Sequence, residues 1–383
     1  MAYQLGNSMA KNTFHAGSPS AAYGGALREY LYVTGLAPVL ALVFLSGCGT
    51  VLPIAGVTNT AFFPSGVHAA VNSGVTIPCA TGCHFTNYTM ANGLPSNVIT
   101  SVFVLGPVIY VGTSAGVAYS TSPSTTWTVL NHASNNLAND SVTALYVVAD
   151  SPSNDLYVGT PSGLSIALAA NGSSLFANNT GFTVTGCGTS SVVNSVLVGS
   201  VVYVGTNGQV FSASLGTPPL SFSAASVPGC FNNYKLSFDA SQNVYAVENS
   251  TFIYRAPAGT SSFSCTGSSP ISIDSFFAYT NLYLGFGFPY YGGALSANSG
   301  TTLSFFPISS SSAVSSMAAV EAGSQITLYA ATTGDGVFIS TNGGAQFSHY
   351  TTSSGLGSNT VNAVITQGTT VYAATNSGLS IGQ

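Results

Sequence analysis

"DLYVGTPSGLSIA", residues 155–167, is an apolar run ending in Gly-Thr, then a tight turn, then a second apolar run. Apolar and β-branched residues on both sides of a glycine-bearing turn are the pattern of a β-hairpin. The chain repeats it. "YVGTSAGVAYS" starts at Tyr110, "YVGTNGQVFSA" at Tyr203 and "YAATNSGLSIG" at Tyr372. Aligned on that tyrosine, the copies fall at Tyr110, Tyr157, Tyr203, Tyr245, Tyr283, Tyr329 and Tyr372, spaced 38 to 47 residues apart.

A period in the low forties, with no sustained 3.6-residue periodicity, is that of a four-stranded propeller blade. Each copy supplies a first strand such as "SVTALYVVAD" (141–150), then the Tyr strand. A third strand such as "GLSIALA" (163–169) and a more polar fourth such as "TTWTVLN" (125–131) follow. The Gly of "YVGT" and the Gly two or three residues past its Thr are expected to supply positive φ or room for close backbone approach. The expected fold is all-β, a seven-bladed β-propeller of four-stranded antiparallel blades.

The count closes only with help from the other end of the chain. The last copy, 361–383, has three strands. An orphan stretch, "CHFTNYTMANGLPSN" (83–97), matches the ends of other copies, "TWTVLNHASNNLANDS" (126–141) and "FSHYTTSSGLGSNT" (347–360). The orphan therefore reads as the missing fourth strand of the last blade, with 84–91 pairing against 378–381. Such closure protects a sheet edge that would otherwise invite aggregation.

Composition agrees and narrows the function. Apolar residues make up 46% of the 383, and 22 Phe, 20 Tyr and 43 Gly suit short strands and tight turns. Charged residues are 3%, against roughly 25% in an ordinary soluble domain. The surface must then consist of Ser, Thr, Asn and Gly. It offers little electrostatic steering, which excludes a nucleic-acid partner.

The start of the chain is of another kind. Lys11 and Arg28 precede an apolar run, "YLYVTGLAPVLALVFLSGCGT" (30–50), in the order of a secretory signal. Leu45-Ser46-Gly47-Cys48 resembles the lipobox of bacterial lipoproteins. That resemblance implies cleavage before Cys48 and a lipid on its sulfur. Residues 1–47 are thus expected to be a lipoprotein signal peptide, 48–78 a lipidated N-terminus and linker, and 79–383 the propeller; translation starts at Met1 or Met9. Two of the four basic residues would remain, Lys235 and Arg255, with eight of the nine acidic ones, since Glu29 falls in the leader.

"NGLPSNVITSV" (92–102) followed by "IYVGTSAGVAYS" (109–120) resembles the repeats of two-component-regulator sensor propellers. "STNGGAQF" (340–347) is similar to the Asp-box hairpin of sialidase-type propellers, with Asn342 in place of Asp, and "STSPSTTW" (120–127) is a decayed copy. Both repeats mark structural turns and so speak to fold more than to activity. Sialidase chemistry, as that resemblance implies it, clamps a carboxylate with three arginines, and only Arg255 is available. Paired-carboxylate glycoside hydrolysis needs two acids. Asp140, Asp150, Asp155, Asp239, Glu248, Asp274, Glu321 and Asp335 share no repeat position and read as turn or cap residues.

Three further features carry chemistry. Cys79, Cys83 and His84 form C-x3-C-H, one residue longer than the haem attachment motif; the alternatives are a small disulfide loop or a covalent haem with His84 as axial ligand. Cys187, Cys230 and Cys265 read as equivalent crossover positions in three consecutive blades, two of which can bridge. His68, His84, His132 and His349 lack metal-ligand spacing. In "GFGFPYYGG" (285–293), Phe286, Phe288, Tyr290 and Tyr291 replace the Thr turn with a cluster of aromatics. It is read as a recognition surface for a protein or a neutral glycan, or as rings folded back to cap the channel.

These readings converge on an exported, lipid-anchored propeller serving as a non-catalytic binding or scaffold module at the cell envelope, on the outer membrane or surface if the host has one. A surface polysaccharide hydrolase or lyase and a haem-bearing redox protein are the alternatives; no catalytic or metal residue is assigned. Cys48→Ala is expected to leave an unprocessed, unlipidated precursor. Mass spectrometry of the mature N-terminus checks this, and an unmodified Cys48 in the native protein contradicts it.

Overall fold

Seven four-stranded antiparallel sheets stand in a ring, and each corresponds to one copy of the tyrosine hairpin. The computed structural model describes residues 79, 82–123, 126–149, 154–184, 188–227, 233–248 and 251–383. Blade 1 is Ile99–Leu105, Val108–Thr113, Gly116–Ser122 and Thr126–Leu130. Blades 2 to 6 begin at Ala144, Val193, Lys235, Ile273 and Val314. Blade 7 takes Val361–Gln367, Thr370–Thr375 and Gly378–Gly382, and its outer strand is Phe85–Tyr88. The register is Phe85 opposite Gly382, Thr86 opposite Ile381, Asn87 opposite Ser380 and Tyr88 opposite Leu379. The expected closure is present, shifted by one residue at the C-terminal side, and residues beyond Tyr88 turn into a 3-10 helix, Met90–Asn92.

The first strands of neighbouring blades touch all the way round, so they line the centre. Apolar clusters fill the wedges between blades. One joins Val102, Val104, Val111 and Ala118 of blade 1 to Ala363, Ile365, Ala374 and Leu379 of blade 7. Polar bonds span the same wedges near the centre. Thr143 Oγ1 donates to Val193 O (2.5 Å), and Leu236 N donates to Ser195 Oγ (3.1 Å). Ala278 N donates to Ser237 Oγ (3.0 Å), and Ser275 Oγ to Val314 O (2.7 Å). Val364 N donates to Ser316 Oγ (3.2 Å), and Asn362 Nδ2 to Ile99 O (2.7 Å). Six blade boundaries are thus tied by an uncharged side chain holding a neighbour's backbone. Buried polar groups must be paired, and hydroxyls achieve this without the desolvation cost of ions.

The repeated tyrosine has a similar task. Tyr203 Oη donates to Thr260 O, Tyr245 Oη to Ser299 Oγ and Tyr283 Oη to Glu321 Oε1, each at 2.7 Å and each into the next blade. Asn154 Nδ2 of blade 2 donates to Tyr110 Oη (2.6 Å). The Gly of "YVGT" gives room. A Cβ on Gly112 would lie 2.3 Å from Ser101 Oγ and 2.5 Å from Val142 Cγ1 of the next blade. The Thr closes the turn: Thr113, Thr160, Thr332 and Thr375 each donate to the carbonyl of the glycine that restarts the chain, at 2.7–2.9 Å. That glycine has positive φ, for example 134° at Gly163.

The matching orphan segments turn out to be one crossover motif. In the 7-to-1 crossover Asn97 Oδ1 accepts from Met90 N (2.8 Å), and in the 6-to-7 crossover Asn359 Oδ1 accepts from Thr352 N (2.9 Å). Asp140 Oδ1 does so for His132 N (2.6 Å) in the 1-to-2 crossover. Leu94, Leu137 and Leu356 plug the three loops. The Asp-box turn at Asn342, whose Oδ1 accepts from Gln346 N and Ser340 Oγ (both 2.9 Å), has a second copy that the sequence pattern hid. Asn298 Oδ1 accepts from Thr302 N (2.9 Å) and Ser296 Oγ (3.0 Å) in blade 5. An additional hairpin, Phe182–Val184 with Gly188–Ser190, sits between blades 2 and 3.

Gly112→Val drives a side chain into the next blade and is expected to cost about 1–3 kcal/mol by overpacking. Gly216→Ala, where a Cβ meets nothing within 4 Å, leaves stability unchanged. Urea unfolding of the two variants measures the difference. Deleting 361–383 removes three strands of blade 7, and limited proteolysis is expected to degrade the remainder faster than the intact chain.

Candidate functional site

Strands alternate in direction, so the crossovers and the turns between second and third strands share one face of the ring. Contacts on that face agree: Ser96 Oγ and Ser114 Oγ lie 2.8 Å apart, and Gly116 N donates to Asp140 O (2.7 Å). Round most of this face the repeat is regular. In blades 1, 2, 6 and 7 the turn is a bonded Thr, and the crossovers from 6 to 7, 7 to 1 and 1 to 2 carry the leucine plug.

Blades 4 and 5 depart from the rule, and the departures concentrate chemistry. At the Thr position blade 4 has Glu248, fully buried, and blade 5 has Phe286. The first strand of blade 4 opens with Lys235, also buried, and that of blade 5 carries Asp274 as its second residue. In a chain so poor in charge, three ionisable groups at the same end of two adjacent blades stand out. Burial pushes the Lys235 ammonium well below the ordinary lysine range, and the Asp274 carboxylate opposes that push. Burial likewise raises Asp274, and the Lys235 charge opposes it. Burial, reinforced by the charge of Glu248, raises the Tyr254 phenol.

Asp274 also touches the aromatic loop, because a Cβ on Gly287 would lie 2.1 Å from its Oδ2. From Gly287 the loop runs outward over blade 5. Tyr290 N and Tyr291 N both donate to Gly287 O, at 2.9 and 2.8 Å. Phe286 departs from the expectation of a surface aromatic cluster. Phe286 is no surface residue: it is fully buried between blades 4 and 5, with Ile253, Ile273 and Leu284, because a strand end packed against the neighbouring blade has no route to water. Phe286 stacks on Phe305 (5.7 Å) and meets Tyr290 edge-on (5.9 Å), so Tyr290 is half-buried in that aromatic group. Phe288 is 79% exposed, and it and half-exposed Tyr291 form a second pair 6.1 Å apart. The loop therefore has an inner aromatic layer that packs and an outer one that faces solvent.

Most other acids do serve turns. Asp155 Oδ1 accepts from Ala169 N, and Asp239 accepts from Ser241 N, Asn243 N and Asn243 Nδ2. Asp239 also forms the sole salt bridge among the described residues, 3.8 Å from Arg255. Asp335 accepts from Ser309 and Ser311 hydroxyls of the facing crossover, and these bonds, the Ser309 one above all, hold its pKa below the usual carboxylate value. Asp150 lies outside the described residues.

The cysteines divide. Cys79 and Cys83 are disulfide-bonded to each other. Cys265 is disulfide-bonded too, but it lies inside the outer strand Ser264–Ser268 opposite Tyr254 rather than in a crossover, because blade 4 extends its fourth strand past it. Cys187, Cys230, His68 and Cys48 lie outside the described residues. Among the described residues no three His, Cys, Asp or Glu side chains are grouped to hold a metal ion. No described helix is long and apolar enough to cross a membrane.

The sequence singles out the aromatic loop, while Glu248 and Asp274 read there as turn or cap residues and Lys235 is given no role. The available signal was departure from the repeat: "YAVEN" and "YLGFG" stand where other copies have "YVGT" or "YAAT".

With this geometry in hand, the molecule is a seven-bladed β-propeller, and solved structures agree. The chain is similar to the extracellular domain of BT4673 from B. thetaiotaomicron, with TM-score 0.57, 16% identity, and coverage of 78% of this chain and 40% of that one. It is also similar to PorZ, a bacterial surface component of the type-IX secretion system of Porphyromonas gingivalis, with TM-score 0.57, 12% identity, and coverage of 75% and 46%. A third is YCF48 bound to a D1 peptide, with TM-score 0.58, 12% identity, and coverage of 80% and 99%. The chain thus spans less than half the length of the first two. No family model matches the sequence, and neither does any curated protein.

Lys235 and Asp274 set a pH signature. Lys235 has its folded pKa below its unfolded one, so its contribution to stability is complete above about pH 10.5 and is lost as pH falls through the depressed value. Asp274 is raised, so its contribution is complete below about pH 3.8 and is lost as pH rises through the raised value. Asp274→Leu leaves Lys235 without the carboxylate that favours its charge. It is expected to lower stability at pH 6 by on the order of 1 kcal/mol and to recover toward pH 10. The double variant Lys235→Met/Asp274→Leu is expected to match or exceed the parent at pH 6. Thermal melts across that range read both.

Proposed function

We propose that the protein is a non-catalytic binding module held at the cell envelope by a lipid on Cys48, and that it engages a protein or neutral glycan through the crossover face of blades 4 and 5. The observation that carries this reading is exposed Phe288 with half-exposed Tyr291, set on a packed aromatic layer beside the ionisable groups of blades 4 and 5. An exposed ring on a packed base loses little conformational entropy on binding and offers a face for a sugar ring or an apolar side chain. The surrounding rim of Ser, Thr and Asn supplies neutral hydrogen bonds. Among similar structures, PorZ is a bacterial surface component and YCF48 takes a peptide. Those properties belong to those proteins and support, by analogy of fold, a role in binding.

The test separates binding from folding within one loop. Phe288→Ala is expected to weaken retention of the partner, captured from solubilised envelopes or on an array of neutral oligosaccharides, by about tenfold, about 1.4 kcal/mol. Its melting temperature stays at the parent value, since the ring is in solvent. Tyr290→Ala, which opens the inner layer, lowers the melting temperature instead. Undiminished capture by Phe288→Ala contradicts the proposal.

A further inference from the structure

The chain contains five Asn-x-Ser/Thr triplets, at Asn87, Asn139, Asn171, Asn178 and Asn249. In an exported protein such a triplet is an acceptor for N-linked glycan. The fold treats them very differently. Asn87 donates its Nδ2 to Ser377 O (2.8 Å) and accepts from Ser380 Oγ (3.0 Å) across the closing strand pair. Asn139 donates to Ser162 Oγ (3.2 Å) in the next blade. Asn178 donates to Asn136 O (2.9 Å) and accepts from Ser165 Oγ (2.7 Å). In each the amide nitrogen that would carry a sugar already bonds another segment, and a glycan there would break a blade contact. Asn249 lies outside the described residues.

Asn171 is the exception. It sits at the tip of the loop between the third and fourth strands of blade 2, on the face opposite the crossovers, and is exposed. Its Oδ1 accepts from Ser173 N (3.0 Å) and Ser173 Oγ (2.8 Å), so the hydroxyl two residues on is already turned to the carboxamide. Among the described residues its Nδ2 makes no hydrogen bond. The same loop carries two of the few exposed large apolar residues, Leu168 (44%) and Leu175 (69%). A glycan between them would cover surface that this charge-poor chain otherwise leaves to water.

We propose that Asn171 is an N-glycosylation site, modified from a polyprenyl-phosphate-linked oligosaccharide; this rests on the export reading above. In the transfer the Asn171 Nδ2 forms a bond to the anomeric carbon of the sugar while the bond from that carbon to the phosphate oxygen breaks. The polyprenyl phosphate leaves with the electron pair, and the proton from nitrogen passes to a base of the transferase.

Peptide-resolved mass spectrometry of the full chain isolated from its own cells tests this. The expected result is a glycan mass on the peptide containing residue 171, lost in both Asn171→Gln and Ser173→Ala, with Asn87, Asn139 and Asn178 unmodified. Both variants lie in an exposed loop tip and are expected to melt like the parent. The mature N-terminus, read in the same sample, separates the outcomes. A chain cleaved before Cys48 with Asn171 bare overturns the glycan proposal alone. A chain that retains residues 1–47 with Asn171 bare overturns the export reading and this proposal with it. Glycan at Asn87, Asn139 or Asn178 also overturns it.

Discussion

Four residue pairs, Phe85 to Tyr88 against Leu379 to Gly382, turn seven sheets into a ring. The packing of blade against blade, unlike the pairing within a blade, depends on that circle. A blade buries apolar residues on both sides only if it has a neighbour on both sides, and an open array would leave two apolar faces in water. Closure by a strand from the far end of the chain also places both backbones in one blade, so opening the ring means losing backbone hydrogen bonds as well as packing. His84 and Gln383 exchange two further backbone bonds beyond the strand ends and lengthen the seam.

Within the circle the chain solves its polar problems almost without ions. Hydroxyls from Thr143, Ser195, Ser237, Ser275 and Ser316 hold neighbouring backbones, and tyrosine phenols reach into the next blade. Such bonds are insensitive to salt and to pH over a wide range, unlike the ion pairs that usually decorate a surface. Among the described residues the buried charged side chains are Lys235 and Glu248, both in blade 4, with half-buried Asp274 in blade 5. Buried ions rarely add stability, so this end of blades 4 and 5 departs from the hydroxyl-based solution used at the other blade boundaries.

The architecture was legible because the repeat is written in residues whose physics is local. The Tyr, Gly and Thr of "YVGT" each do one task in each blade, so seven copies could be aligned and the missing strand located by its kinship to 126–141 and 347–360. The site was less legible for the same reason. Phe286 and Phe288 look alike in sequence, but one ends a strand inside a blade interface and the other stands past it in a turn, and only three-dimensional packing distinguishes them. Lys235 and Asp274 lie 39 positions apart in chain order. Their meeting depends on how adjacent first strands are set side by side, which the repeat period alone does not specify. The second Asp-box, at Ser296 to Thr302, escaped notice because Asn298 and Gly300 keep its hydrogen bonds while its letters have drifted.

The closing strand also imposes an order of events on the newborn chain. Phe85–Tyr88 is made early, and Ser380, to which Asn87 bonds, follows 293 positions later. Blades 1 to 6 can pair their strands as they emerge, each from local hairpins, but this one segment must wait for the last residues. Long-range pairing of this kind is slow, and an unpaired strand is exposed throughout the delay. The waiting segment is brief, and half of it, Thr86 and Asn87, is polar, so it offers a poor template to a passing strand. A chain threaded through a pore from its N-terminus would therefore close this propeller only on the far side, after Leu379–Gly382 had cleared the exit.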